Sequence, residues 1–314
     1  MEKKRVLITG GAGFIGSHLA RKLSSLGHKV SVIDLKDPSE RIPGVAYFLG
    51  DVRKMADLKR FVPNQDQVVH FAARVSVPEC EADPVGSEET NVASTLFLLD
   101  LIRYENEKRD PTKKIRLVFA SSSAVYGDLG NHGNPISEIS SATKPLSAYG
   151  RQKLSSEERI RHYAENCGVP GVAFRFFNVY GPGQKADSPY SGVISLFVKA
   201  AREGTTLRLN GGGLQTRDFI SVHDVVRACV RALETDNNEA LTGTPLNLGT
   251  GKSISIRKLA ETLIALGGKG NVLEDAPARA GDILHSCGDG SRARSLLEWK
   301  PEMELPEGLK ELCS

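Results

Sequence analysis

The 314-residue sequence predicts an α/β fold: a doubly wound parallel sheet with helices on both faces, followed by a smaller C-terminal α/β lobe. Two observations carry this. Short apolar runs at residues 6–9, 30–33, 45–49, 68–71, 117–120 and 172–174 have the near-continuous hydrophobicity of strands buried on both faces. Amphipathic segments of helical period fill the intervals, and strand and helix in turn with short connections imply right-handed crossovers.

Each element has its own signal. The first run, Val6 to Thr9, opens directly onto a glycine-rich turn, and the second ends at Asp34. The third, residues 45–49, leads to Asp51-Val52, and the fourth to Phe71-Ala72-Ala73. The fifth runs into Ser121-Ser122-Ser123, and the sixth is followed by Asn178. From there Pro182, Gly183, Pro189, Gly192 and the run Gly211 to Gly213 break the alternation, which marks a second lobe. In it, helical patterns at residues 193–202, 222–234 and 256–266 are interleaved with brief strands at 206–209 and 245–248. The expected division is a nucleotide-binding domain at 1–177 and a substrate lobe at 178–314, with elements near 215–250 returning to the first sheet.

Composition narrows the function. With 41 basic and 38 acidic residues the net charge is +3, and no run of Lys or Arg is long enough for a nucleic-acid arm. The cysteines, at 80, 167, 229, 287 and 313, stand singly without the spacing of a zinc site, so no metal is expected. Only Val6 to Ile8 are apolar before the glycine turn, too few for a signal peptide, and no apolar stretch reaches the roughly 18 residues of a membrane helix. A cytoplasmic protein with no membrane partner is the expectation.

Gly10-Gly11-Ala12-Gly13-Phe14-Ile15-Gly16 contains GxxGxxG between the first strand and the first helix. Glycines there let the backbone turn sharply and approach a pyrophosphate, whose charge sits on the N–H groups and positive dipole of the helix that Phe14 begins. Asp34, about 20 residues further on, can accept hydrogen bonds from the adenosine ribose and repels a 2′-phosphate, so NAD is favoured over NADP despite Lys36 nearby. Asp51 and Val52 are placed at the adenine edge. Phe71, Ala72 and Ala73 are small or apolar neighbours for the phosphates.

Tyr149 and Lys153 are four residues apart, on one face of a helix running to about Asn166. A phenol with a reference pKa near 10 is a poor base at neutral pH, but a nearby ammonium and a positively charged nicotinamide ring favour its phenolate. A hydroxyl from Ser121 to Ser123, at the carboxyl end of the sheet, can orient a substrate oxygen against Tyr149, although serines there also cap helices. No serine stands in a GxSxG elbow.

Together these motifs resemble the extended short-chain dehydrogenase/reductase superfamily, and within it the NAD-dependent nucleotide-sugar epimerases and dehydratases. Further segments extend the resemblance over almost the whole chain. They are Asn91-Val92-Ala93-Ser94-Thr95, Arg175 to Gly183, Thr216-Arg217-Asp218 through Asp224, Asn247-Leu248-Gly249 and Arg279-Ala280-Gly281-Asp282. Ser94 and Ala148 depart from the usual Gly and Pro.

What the resemblance implies is specific. Ser122, Tyr149 and Lys153 are the catalytic set, and Gly10, Gly13, Phe14, Ile15, Gly16, Asp34, Leu35, Asp51, Val52, Phe71, Ala72, Ala73 and Asn91, with Tyr149 and Lys153 again, hold NAD. Ser122, Ser123, Tyr149, Asn178, Val193, Leu207, Leu209, Arg217, Arg279, Asp282 and Ser286 line a UDP-sugar, with the two arginines on its diphosphate and the strand around Leu207 and Leu209 along its uracil. Dehydratases carry an acidic pair after the catalytic hydroxyl, where this chain has Ser123 and Ala124, so elimination lacks its proton donor. The expected reaction is 4-epimerisation through a transient keto sugar and bound NADH. Ser286, at a position where relatives gate the sugar's 2-substituent, is small enough to admit an N-acetyl group. UDP-GlcNAc and UDP-GalNAc are therefore expected substrates beside UDP-glucose and UDP-galactose.

The competing readings are a UDP-glucuronate epimerase or decarboxylase, a ketosugar reductase, and a non-catalytic NAD sensor. The intact Tyr149/Lys153 pair argues against the last. Helices at 90–103 and 147–166 are the expected homodimer interface.

Overall fold

The computed structural model describes residues 2–129, 134–186, 192–236, 238–278 and 281–313. Seven strands form one parallel sheet: β1 (Arg5–Thr9), β2 (Lys29–Asp34), β3 (Val45–Leu49), β4 (Gln67–His70), β5 (Arg116–Ser122), β6 (Gly171–Phe176) and, from the second half of the chain, Thr242–Leu248. Between β6 and that last strand lie β7 (Asn178–Tyr180), β8 (Leu207–Asn210) and β9 (Thr216–Ser221), so Thr242–Leu248 is β10. The order across the sheet is β10-β6-β5-β4-β1-β2-β3. It reverses direction between β1 and β4, the topological switch point where sheets of this kind take ligands.

Alternation along each strand builds two cores. In β1, Val6 and Ile8 face one side with Leu19 and Leu23 of α1 (Phe14–Ser25), whereas Leu7 faces the other. On that second side pack Leu98, Leu99 and Ile102 of the helix Ser94–Asn106, and Ile160 of the helix Ala148–Asn166. Counting the short helices Met55–Lys59, Val77–Ala82 and Pro84–Glu88, these two are α5 and α6. The first core is closed by α8 (Val222–Glu234), which follows α7 (Val193–Glu203) in the chain and packs against α1. Thus α8 and β10, from the second half of the chain, pack with the seven-stranded sheet and α1.

The second lobe has its own core. Leu207 and Leu209 of β8, Phe197 of α7, Phe219 of β9 and Leu259 and Leu263 of α9 (Ile256–Gly267) form it. Its seam is β9, which pairs in parallel with β7 and with β13 (His285–Ser286), and antiparallel with β11 (Ser253–Ser255). Strand β8 pairs with β12 (Leu273–Ala276). The buried carboxylate of Asp218 staples this seam, accepting from the Thr250, Gly251 and Gly288 N–H groups at 2.9, 3.0 and 3.0 Å.

Candidate active site

A cleft of ≈ 660 Å³ lies at the switch point, beyond the carboxyl ends of the central strands. Gly10, Gly13, Phe14, Ile15 and Gly16 form one wall; Asp34, Leu35, Asp51, Val52, Phe71, Ala72, Ala73, Ser122, Tyr149 and Lys153 complete it. The glycines are sterically required. Gly10 sits at φ +70°, and a Cβ on it would stand 2.6 Å from the Ala72 nitrogen; one on Gly16 would stand 2.4 Å from the Gly10 carbonyl oxygen.

Helix α1 begins without a capping side chain and without an acidic residue in its first turn, whereas Ser147, Ser221 and Ser255 cap α6, α8 and α9. A helix start of this kind, beside a loop that only glycine fits, leaves backbone N–H groups to an anion. Asp34 closes the loop, accepting from the Ala12 N–H at 3.0 Å, and keeps further acceptor capacity toward the cleft. These residues fit a dinucleotide. The Asp51 carboxylate is engaged by the Arg53 guanidinium at 2.6 and 3.0 Å, which holds its pKa below the usual carboxylate range.

Asn91 is placed differently from the other cofactor candidates. It is buried beside the cleft rather than lining it. Its side chain accepts from the Arg74 N–H at 2.9 Å, and its amide donates to the Arg74 carbonyl and to Gln152 at 3.0 and 2.8 Å. It pins the segment after β4 to α6.

Tyr149 occupies the first turn of α6, fixed by the Ser147 cap, and Lys153 lies one turn on. Burial pushes the Tyr149 phenol up to about 12, against a hydrogen bond with Ser122 that lowers it. Burial also brings Lys153 down to about 8, opposed by the Glu157 carboxylate. The Lys153 Nζ donates to the Ala120 carbonyl at 2.7 Å and stands 5.8 Å from the Tyr149 ring centre. Ser122 ends β5, where its Oγ accepts from the Ala124 N–H at 3.2 Å. Ser123 follows in a single helical turn. One hydroxyl, one phenol and one ammonium therefore converge at the cleft, an arrangement suited to moving a proton between a substrate hydroxyl and Tyr149.

The second-lobe candidates are less uniform. Arg217 on β9 and Asp282 are bound to each other at 2.6 Å, both partly accessible. Burial lowers the Arg217 pKa while Asp282 raises it. Ser286 on β13 lies in register with Arg217 and is 8% exposed. Asn178 is on β7 and Val193 begins α7. Leu207 and Leu209 turn into the lobe's core, 1% and 0% exposed, so contact between β8 and a base would run through its backbone. Arg279, Tyr190 and Ser191 lie outside the described residues.

The model of the NAD dependent epimerase/dehydratase family matches residues 6–249. The chain belongs to this family. It is 33% identical to the UDP-glucose 4-epimerase of Corynebacterium glutamicum, over 95% of this chain and 91% of that one. It is 32% identical to the UDP-N-acetyl-alpha-D-glucosaminuronate decarboxylase of Bacillus cytotoxicus, over 98% and 96%. Among solved structures it resembles the UDP-N-acetylglucosamine 4-epimerase from Methanobrevibacter ruminantium M1 in complex with UDP-N-acetylmuramic acid. The TM-score there is 0.89 at 33% identity, covering 100% of this chain and 98% of that one.

The enzyme is accordingly NAD-dependent and of the nucleotide-sugar epimerase family. Several of its cleft residues carry no motif of their own. Arg74, Val75 and Gln184 reach the cleft from the segments after β4 and β7, and Thr90 from the helical turn Glu89–Ala93. Glu157 did carry a signal, its helical spacing of four from Lys153. Among the described residues no helix is long and apolar enough to cross a membrane.

Proposed function

We propose that the enzyme is a UDP-sugar 4-epimerase that interconverts UDP-glucose with UDP-galactose and UDP-GlcNAc with UDP-GalNAc. The observation that carries this is Tyr149, Ser122 and Lys153 together at the cleft, with Ser123 and Ala124 where an eliminating enzyme needs acids. Bound NAD supplies a hydride acceptor and donor and a positively charged ring. The chain's own part is the proton: Ser122 orients the sugar's 4-hydroxyl, and the Tyr149 Oη takes its proton and returns it. Lys153, anchored on the Ala120 carbonyl, favours the phenolate. Burial moves the Tyr149 phenol still further from neutral, so the base forms only when positive charge gathers beside it.

The cofactor is held by the residues around Gly10, Asp34 and Ala72, with Asn91 positioning the wall. Arg217, released from Asp282, grips the diphosphate together with Arg279, and Asn178, Val193 and the β8 backbone complete the nucleotide site. Ser286 leaves space for an N-acetyl group. The lobe boundary lies near residue 178, a reading supported by Tyr180 being the first residue of the second core, with α8 and β10 belonging to the first domain. Helices α5 and α6 form a homodimer face, on which Tyr104 is 56% exposed.

A second reading, as a UDP-glucuronate epimerase or decarboxylase, has the 32% identical decarboxylase in its favour. Incubating the protein with a panel of UDP-sugars without added cofactor and resolving products by NMR decides between them. Equal-mass pairs support the epimerase. Carbon dioxide release from uronates alone sinks it, and silence on the N-acetylated pair removes the proposed breadth.

A further inference from the structure

Beneath the reacting groups lies a buried ion pair that the proton transfer does not use. Glu157 is one helical turn beyond Lys153 on α6, and Arg175 is on β6; both side chains are about 5% exposed. The guanidinium clamps the carboxylate through Nη2 at 2.6 Å and Nε at 3.0 and 3.2 Å. The same carboxylate accepts from the Ser121 hydroxyl, next to Ser122. Arg175 also lies 4.7 Å over the ring of Tyr126, whose hydroxyl donates to Asn247 on β10 at 2.7 Å. Asn247 in turn donates to the Ile136 and Asp289 carbonyls at 2.7 and 3.3 Å. One polar chain thus runs from the catalytic helix, through three adjacent strands, to the segment just after Ser286.

Replacing a buried ion pair by apolar residues is commonly neutral or stabilising, so stability alone gives weak reason for this one. We propose that Glu157 is a positioning residue of the active site, fixing Ser121 at the end of β5 and setting a negative charge one turn below Lys153. The other groups around that ammonium are Phe119 and the Ala120 carbonyl from β5, neutral His70 from β4, Cys80 from Val77–Ala82 and Tyr149 on its own helix; of these Cys80 adds an upward push on the Lys153 pKa, smaller than that of Glu157. The Glu157 charge is the largest influence opposing the burial that lowers Lys153. Without it the ammonium loses its proton at lower pH, and with it the support for the phenolate.

The inference rests on Tyr149 and Lys153 as the proton-transfer pair, which Tyr149→Phe tests separately. Glu157→Gln is compared with Glu157→Asp and with the double variant Glu157→Gln/Arg175→Gln, which leaves no unpaired buried charge. Each is checked for fold and bound NAD, and kcat is followed against pH. The alkaline limb is expected to move acidward by about one pH unit in both charge-removing variants and to return in Glu157→Asp, with kcat about twofold down at pH 7 and about fivefold or more down at pH 8 and above in Glu157→Gln. An unmoved limb in a folded double variant overturns the proposal. So does failure of that variant to fold, which reduces the pair to a structural element. Should Tyr149→Phe stay active, it is the parent reading that fails.

Discussion

The two halves of the molecule present their candidate residues by different means. Around the switch point the candidate residues act largely through backbone: a loop with no room for Cβ atoms, an uncapped helix start, small residues after β4. Nearly all of them come from strand ends a few residues away, and nearly all converge on one cleft. In the second lobe most candidates are side chains on elements joined from distant parts of the chain. There Arg217 is already committed to Asp282, and Leu207 and Leu209 have gone to the core. A site made of backbone geometry is fixed by local sequence; one made of side chains is fixed by what packs beside them.

The sharpest break would come from the reacting group itself. Tyr149→Phe is expected to lower epimerisation by about 10³-fold or more with fold and bound NAD retained; substantial residual turnover removes Tyr149 from the mechanism. Next is Gly10→Val, which places branched carbons against the Ala72 backbone at a φ that favours glycine. Purified protein should carry no NAD by absorbance and show no activity, and retained cofactor would show that the loop adapts. For the second lobe, Arg217→Met should raise KM about 10–100-fold, the worth of a charged hydrogen bond, with kcat little changed. A fall in kcat at constant KM would move Arg217 from binding to chemistry.

The smallest effect is on stability. The buried Lys153 ammonium, with its pKa lowered from 10.5 to about 8, binds fewer protons folded than unfolded between those values. Stability from this group therefore rises with pH across that window, and its cost is fully present below about 8. Lys153→Met, inactive, should unfold at higher denaturant by about 1–3 kcal/mol at pH 7, with the gap closing toward pH 10. A gap independent of pH would mean that packing, not charge, sets it.

Most of the sheet was legible because each strand carries its own apolar run and each helix its own period. Strand β8 was legible as a strand, but not that its leucines face inward. Asn91 was marked by the family resemblance as holding NAD, and packing directs its amide to the Arg74 backbone and Gln152. Arg175 stood in a recognisable segment without a stated task, because its partner Glu157 is 18 residues earlier on another element.

By itself the sequence determined the doubly wound class, the dinucleotide loop and the Tyr149/Lys153 pair. All three depend on local rules: strand and helix periods, glycine sterics, and the helical spacing of four. Only the tertiary structure decided which distant groups meet: β10 beside β6, Ser286 beside Arg217, and Glu157 with Arg175 under the catalytic helix. Such contacts arise when separate elements are packed into shared cores, and their partners, far apart in the chain, share no local signal.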